Sequence, residues 1–390
     1  MIPATSLGAS YIVAARRTAL GRPGGLHGAR RIESLAVPVV QVALEDAGLA
    51  PEMVDEIILG NTTAGGNPAR LIGLAAGLHA VVSALTVDRQ SASGLDAILL
   101  AMRAVALGEA EVVIAGGAES ISTAPWRIAK PRSLFQTPHF IGLDREAGES
   151  ACNSHVVASS EDLARRLGIT RDRQDSYALR SHLKADQARS QRRFVGEIVP
   201  LMHSVAEARD ESAVVPELED LAALSPFVSP QGTHTSGNTS APQDGAAMAV
   251  VVSAKVHAEL GAPRALKLVA SSTQGVGAGD DALAPVAALQ RLLASHGGFA
   301  REKLGLVEVS ETSAAQAIAL RDAFELEDDE LCPDGGAVAR GYPLGAAGAV
   351  SVVRLFTRMA RNRGRHAPIY GAATQDALGG IGVAALFEAV

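Results

Sequence analysis

The chain has 390 residues, 47% of them hydrophobic and only 3% aromatic, with 39 glycines and a formal net charge of -7. Such a chain is long enough for two or three domains around a core of small side chains, and its acidic balance gives no reason to expect nucleic acid or an anionic membrane as a partner. Two cysteines, Cys152 and Cys332, argue for a reducing compartment; without metal-ligand spacing they read as small buried hydrophobes.

Taken in chain order, residues 1–10 lack the basic and apolar regions of a leader, so the expected location is cytoplasmic. Residues 54–60, Val-Asp-Glu-Ile-Ile-Leu-Gly, read as a buried strand. The run from Thr86 to Ile98 then reads as a strand end, a small-residue turn and the start of a helix, with Ser91 at the turn. A side chain there meets the unpaired N–H groups and positive dipole end of a helix, which suits a nucleophile with an oxyanion beside it. On this window alone the helix cap is the better reading of Ser91. An apolar helix over 94–106 and a strand over 112–115 follow; the apolar runs are too short to span a bilayer.

The composition changes over residues 121–243, with a polar, proline-bearing run at 126–155, a charged helical stretch at 160–190 and an acidic segment near 207–220. Beyond it the first pattern repeats: a strand at 304–309, a helix at 346–359 and a strand at 368–370. Strands alternating with helices in two similar halves predict an α/β fold with mainly parallel sheets covered on both faces.

Several ordered blocks carry a resemblance. Arg17-Thr18-Ala19-Leu20-Gly21, Gly65-Gly66-Asn67-Pro68-Ala69-Arg70, the Ser91 segment, residues 108–120, Gly237-Asn238-Thr239-Ser240-Ala241 with Asp244-Gly245-Ala246-Ala247, and Gly335-Gly336-Ala337 running on to Gly345 resemble, in the same order, the motifs of thiolases. These enzymes make or split 3-ketoacyl thioesters of coenzyme A. The resemblance implies a five-layered αβαβα fold of two pseudo-repeated halves: residues 1–120 and a return strand at 244–268 form the first, 269–390 the second, and 121–243 an inserted loop domain over coenzyme A.

It also implies where the chemistry sits. The family's acyl-accepting cysteine falls on Ser91, the Gly-His-Pro histidine on Tyr342, the water-holding asparagine on Ser310, and the second, proton-shuttling cysteine on Asp376. A single Cys-to-Ser exchange would suit an engineered trap; four exchanges together suit a naturally divergent site. Ser240 takes the place of a serine that contacts the pantetheine arm, and His155 that of a histidine near the thioester. His155 is also a candidate general base, and Arg165, Arg166, Arg180 and Lys184 could meet a phosphate unless they only pair with acids on a solvated helix face.

A serine hydroxyl needs a base within hydrogen-bond reach to act as a nucleophile, a part open to Asp376 or His155, while the Tyr342 phenol can donate to an oxyanion. Ser310 and Ser313 replace larger groups and would leave room beside Ser91. The expected activity is acyl transfer from an acyl-coenzyme A or acyl-phosphopantetheine thioester through Ser91, with ordinary thiolysis slow or absent, no permanently bound cofactor and no metal. The alternatives are a catalytically inactive coenzyme A-binding scaffold that partners an active thiolase and, third, a thioesterase. Family relatives assemble as homodimers or homotetramers, which the resemblance extends to this chain.

Overall fold

The computed structural model describes residues 8–131, 133–138, 140–141, 156–201, 208–277, 279–295, 299–364 and 367–390. The first half contains β1 (Ser10–Arg17), α1 (Ile32–Ala47), β2 (Glu56–Gly60), α2 (Pro68–Ala75), β3 (Ser83–Val87), α3 (Ser93–Leu107) and β4 (Val112–Glu119). Helices α4 (Val156–Leu167), α5 (Arg171–Ser190) and α6 (Leu218–Ala223) follow, then β5 (Gly245–Ser253) and α7 (Ala254–Glu259). The second half contains β6 (Leu266–Gly275), α8 (Ala284–Ser295), β7 (Leu304–Val309), α9 (Ala314–Ala323), α10 (Ala337–Arg340), α11 (Ala347–Phe356), β8 (Tyr370–Ala377) and β9 (Ile381–Ala389).

Among the described residues the strands run in the order β3-β2-β4-β5-β1-β6-β9-β8-β7. Strand β1 meets β6 through only two residue pairs, Tyr11 with Lys267 and Ile12 with Leu266, so the two halves share a narrow seam. The expectation of mainly parallel sheets is corrected here. Only β2–β3, β2–β4 and β7–β8 are parallel; the pairs nearer the seam are antiparallel. The reason is local: β8 and β9 form a hairpin turned by Gly379 and Gly380, both with positive φ, and β5 returns between β1 and β4.

The layers follow from which faces are apolar. Helices α1 and α2 cover the outer face of the first half, and α8 and α9 that of the second. Between the halves lie α3 and α11, whose Leu95, Ile98, Met102, Val352 and Phe356 share one core with strand residues from both halves, such as Val113, Val251, Val383 and Phe387. These are the five αβαβα layers that the resemblance implies. Burial on both faces explains why every residue of β4 is buried, and why that strand runs on to Glu119 instead of ending near 115.

Glycine lets the two central helices approach. A Cβ on Gly94 would lie 2.7 Å from the Gly345 carbonyl oxygen, and one on Gly117 would lie 2.4 Å from the same atom. The charged helical stretch at 160–190 is divided between two helices, α4 and α5, separated by Gly168 at φ 63°.

Charge fastens the intervening segment to both halves. Arg17 of β1 donates to Glu197 and Asp210, each at 2.6 Å, while Arg354 of α11 pairs with Glu197 and Asp334. All five side chains are buried. Burial alone would raise the Glu197 and Asp210 carboxyls, but the facing guanidinium groups outweigh it and hold both below the usual carboxylate range.

Candidate active site

Ser91 is presented by a strained turn. After β3 the chain passes through Gln90 at φ 51°, a left-handed conformation uncommon outside glycine, before entering α3. Ser93 braces the turn: its Oγ accepts from Arg89 N–H at 2.8 Å and donates to the Gln90 carbonyl at 2.5 Å. The N-cap position of α3 is Ala92 and no side chain caps the helix, so Ser91 is not its cap and points across the junction. Its Oγ donates to the main-chain oxygen of Asp376, at 2.7 Å, from the other half.

Asp376 is the penultimate residue of β8 and is 2% exposed. Its carboxylate accepts from Ser310 Oγ at 2.6 Å and from Thr312 Oγ1 at 3.3 Å. Burial raises its pKa, and hydrogen bonds, that from Ser310 foremost, pull back against the rise. Ser310 lies just beyond β7, held through its N–H to the Thr374 carbonyl at 3.1 Å. A base role for the Asp376 carboxylate toward Ser91 is corrected by this geometry. Ser91 bonds its backbone oxygen, and both carboxylate oxygens face the hydroxyls of the β7–α9 turn.

Tyr342 comes from the turn after α10. That turn is set by Gly341 at φ 101°, where a Cβ would lie 2.1 Å from Gln243, and by two main-chain bonds: Tyr342 N–H to Ala241 O at 2.9 Å and Gln243 N–H to Tyr342 O at 3.0 Å. The ring is buried, and its hydroxyl makes no hydrogen bond within the protein. Burial and the Asp376 carboxylate push its pKa well above the ordinary tyrosine value, with the nearby Ser91 hydroxyl acting in the opposite direction. The phenol is therefore neutral and its proton is available to a ligand oxygen.

Other candidate residues fall as follows. Ser240 lies against this cluster, its N–H and Oγ both bonded to the Thr312 carbonyl, at 3.1 and 3.3 Å. Ser313 does not open space beside Ser91; it caps α9, accepting from Gln316 N–H at 3.2 Å. His155 and Cys152 lie outside the described residues. Cys332 is buried, its thiol pKa pushed well above the ordinary value by burial and by Glu311 and Glu308, which makes it an inert small hydrophobe.

The basic side chains proposed for phosphate all have acidic or carbonyl partners. Arg165 and Arg166 pair with Asp162, Arg180 faces Asp328 at 3.8 Å, and Lys184 donates to the carbonyls of Asp328 and Leu331. Among the described residues no group of three or more histidine, cysteine or acidic side chains is arranged to hold a metal, and no helix is long and apolar enough to cross a membrane.

Three supporting residues were not singled out from the sequence. Glu311, at φ 47°, accepts from Tyr177 Oη at 2.5 Å and from Val338 N–H at 3.0 Å, and so ties the turn after β7 to α5 and α10. Thr312 supplies the second hydroxyl on Asp376. Gln316 Oε1 accepts from Thr312 N–H at 3.1 Å. The signal for Gln316 was present: Ser313-Ala314-Ala315-Gln316 is a capping-box pattern.

Comparison with known proteins agrees with this architecture. The sequence model "Thiolase, N-terminal domain" matches residues 10–255, and "Thiolase, C-terminal domain" matches residues 263–389. The chain belongs to the thiolase family. Among its thiolase relatives, an acetyl-CoA acetyltransferase of Cupriavidus necator is 34% identical over 391 residues, covering 97% of this chain and 98% of that protein. A beta-ketoadipyl-CoA thiolase of Acinetobacter baylyi is 33% identical, covering 92% and 94%. Of solved thiolase structures, the Bacillus anthracis acetyl-CoA acetyltransferase superposes with a TM-score of 0.91 at 32% identity, covering 99% of this chain and all of that one. Human mitochondrial 3-ketoacyl-CoA thiolase in complex with CoA gives 0.88 at 29% identity, with 99% of each chain covered.

Proposed function

We propose that this thiolase-family chain is an acyltransferase acting on coenzyme A thioesters, with Ser91 as the acyl acceptor. Supporting it most is the meeting of Ser91, Ser310, Tyr342 and Asp376, drawn from both halves, around a buried tyrosine hydroxyl that has no protein partner. In this reading Tyr342 donates its hydrogen bond to the oxygen of the attacked carbonyl, where negative charge develops. The Ser91 oxygen forms the new ester bond, the carbon–sulfur bond breaks, and the hydroxyl proton leaves with the coenzyme A thiol. Ser310 and Asp376 hold the opposite wall, and residues 121–243 cover the pantetheine arm near Ser240.

The absence of a side-chain base on the Ser91 hydroxyl, among the described residues, makes this acylation slower than that of a thiolate. Acetyl transfer is the reading that the names of the relatives favour. Incubation with a panel of acyl-coenzyme A thioesters followed by peptide mass spectrometry tests it: an acyl mass on the Ser91 peptide is expected, and its absence across the panel overturns the reading.

One observation favours a second reading, a coenzyme A-binding scaffold without turnover. The Ser91 proton is already held by a main-chain carbonyl, and the Asp376 carboxylate by two hydroxyls. Equal, negligible thioester turnover by wild type and Ser91→Ala, with coenzyme A still bound, would identify the scaffold.

A further inference from the structure

Behind Tyr342, on the side of α10 and α11, lies a small cavity of about 20 Å³ whose wall includes Ser310, Arg340, Tyr342, Ser351 and Gln375. Two of these side chains have orphaned polar atoms. Arg340 is 4% exposed, yet its Nε and Nη1 make no hydrogen bond within the protein, and the same holds for Gln375 Oε1. The acidic neighbour of Arg340 does not answer this need. Glu308 is 3.6 Å from Nη2, beyond hydrogen-bond range, and leaves Nε and Nη1 untouched.

Buried N–H groups of a guanidinium are expensive to leave unpaired, and a polar space needs only about 10–15 Å³ to take one water. We propose that this cavity is a binding site for a single fixed water, held by Arg340 and Gln375, through which Arg340 acts as a positioning residue for Ser310. The water oxygen accepts from the guanidinium. One of its protons goes to Gln375 Oε1 and the other to Ser310 Oγ.

The consequence lies in the choice that Ser310 faces. Its single proton has two acceptors in reach, Asp376 Oδ1 at 2.6 Å and Gln316 Oε1 at 3.2 Å. A water donating from the cavity side occupies a lone pair of Ser310 and leaves its proton directed at Asp376. The importance of this for catalysis rests on the acyltransferase reading; the water itself does not.

Crystal structures of wild type, Arg340→Met and Arg340→Lys test the proposal without any acyl substrate, so failure to acylate Ser91 leaves the test intact. Wild type is expected to show one solvent peak within hydrogen-bond distance of Arg340 and Gln375. Arg340→Met loses it, with Ser310 turning to Gln316, and Arg340→Lys, which keeps a donor, restores both. Water-oxygen relaxation dispersion in solution should count one long-lived water fewer in Arg340→Met. A dry wild-type cavity, density of a heavier ion, or a peak that persists in Arg340→Met overturns the proposal. If Arg340→Met fails to fold, Gln375→Met serves in its place: loss of the peak supports the site and its persistence overturns it.

Discussion

Ser91 gives its hydroxyl proton to the main-chain oxygen of Asp376, 2.7 Å away, while the carboxylate of the same aspartate is occupied by Ser310 and Thr312. The nucleophile candidate is thus oriented without being deprotonated. Ser91→Cys should then acylate faster, because sulfur is the better nucleophile even when part of the thiol remains protonated. Single-turnover mass spectrometry with acetyl-coenzyme A is expected to give a rise of at least about tenfold in the rate of acyl-protein formation. An unchanged rate would mean that the thioester never reaches residue 91.

Tyr342→Phe separates stability from function. The hydroxyl has no partner in the protein, so its removal leaves folding stability unchanged or higher by about 1 kcal/mol, read as a denaturation midpoint. Acyl-ester formation at Ser91 should fall by roughly 10²-fold if the phenol is the oxyanion donor. A fall in stability with no fall in acylation would make Tyr342 a packing residue.

Glu308 gives the chain a pH dependence of its own. Burial raises its pKa from 4.5 to about 7, against the pull of Arg340 and Arg354. Below the unfolded value both states hold the proton and the group contributes nothing. As the pH climbs from 4.5 to about 7 the unfolded chain releases the proton while the folded one keeps it, so stability falls; above the folded value the deficit is constant. Integrated over that interval, the deficit is on the order of 3 kcal/mol. Denaturant titrations of wild type and Glu308→Gln across this range should show wild type losing ground to the variant as the pH rises. Parallel pH profiles would assign no such titration to Glu308.

Gly336→Ala should be among the more damaging small substitutions. The backbone at Gly336 has φ −103°, ordinary for any residue, so the obstacle is space: a Cβ would sit 1.9 Å from the Glu311 carboxyl carbon. Glu311 would have to give up Tyr177 and Val338, and the turn leading to Tyr342 would loosen. A loss of at least about 2 kcal/mol in denaturation is expected, and acylation should fall with it.

How much of this was legible in the sequence differs by residue. The strand at 304–309 and the helix near 94–106 carried their own periodicity, and the structure ends them within a residue or so, at Leu304–Val309 and Ser93–Leu107. The antiparallel pairs near the seam were not legible, because strand direction depends on where the chain returns, and β5 returns after more than a hundred residues. At the site, Ser91, Ser310, Tyr342 and Asp376 could be named from their motif frames, and the structure brings these four together. What no motif could supply is which oxygen of Asp376 faces Ser91. That is decided by the end of the β8 strand, whose pleat turns the carboxylate to Ser310 and leaves the carbonyl for the serine. Glu311 escaped notice because its partners, Tyr177 and Val338, lie far from it in the chain.

The seam between β1 and β6 is only two residue pairs wide, so the separation of the halves is governed instead by the bare backbone surfaces that meet around the Gly345 carbonyl. Those glycines act as a shim. Thickening it by a single methyl group at position 94 or 117 would wedge one half off the other, and the distance from Ser91 to Asp376 would widen although neither residue had been touched.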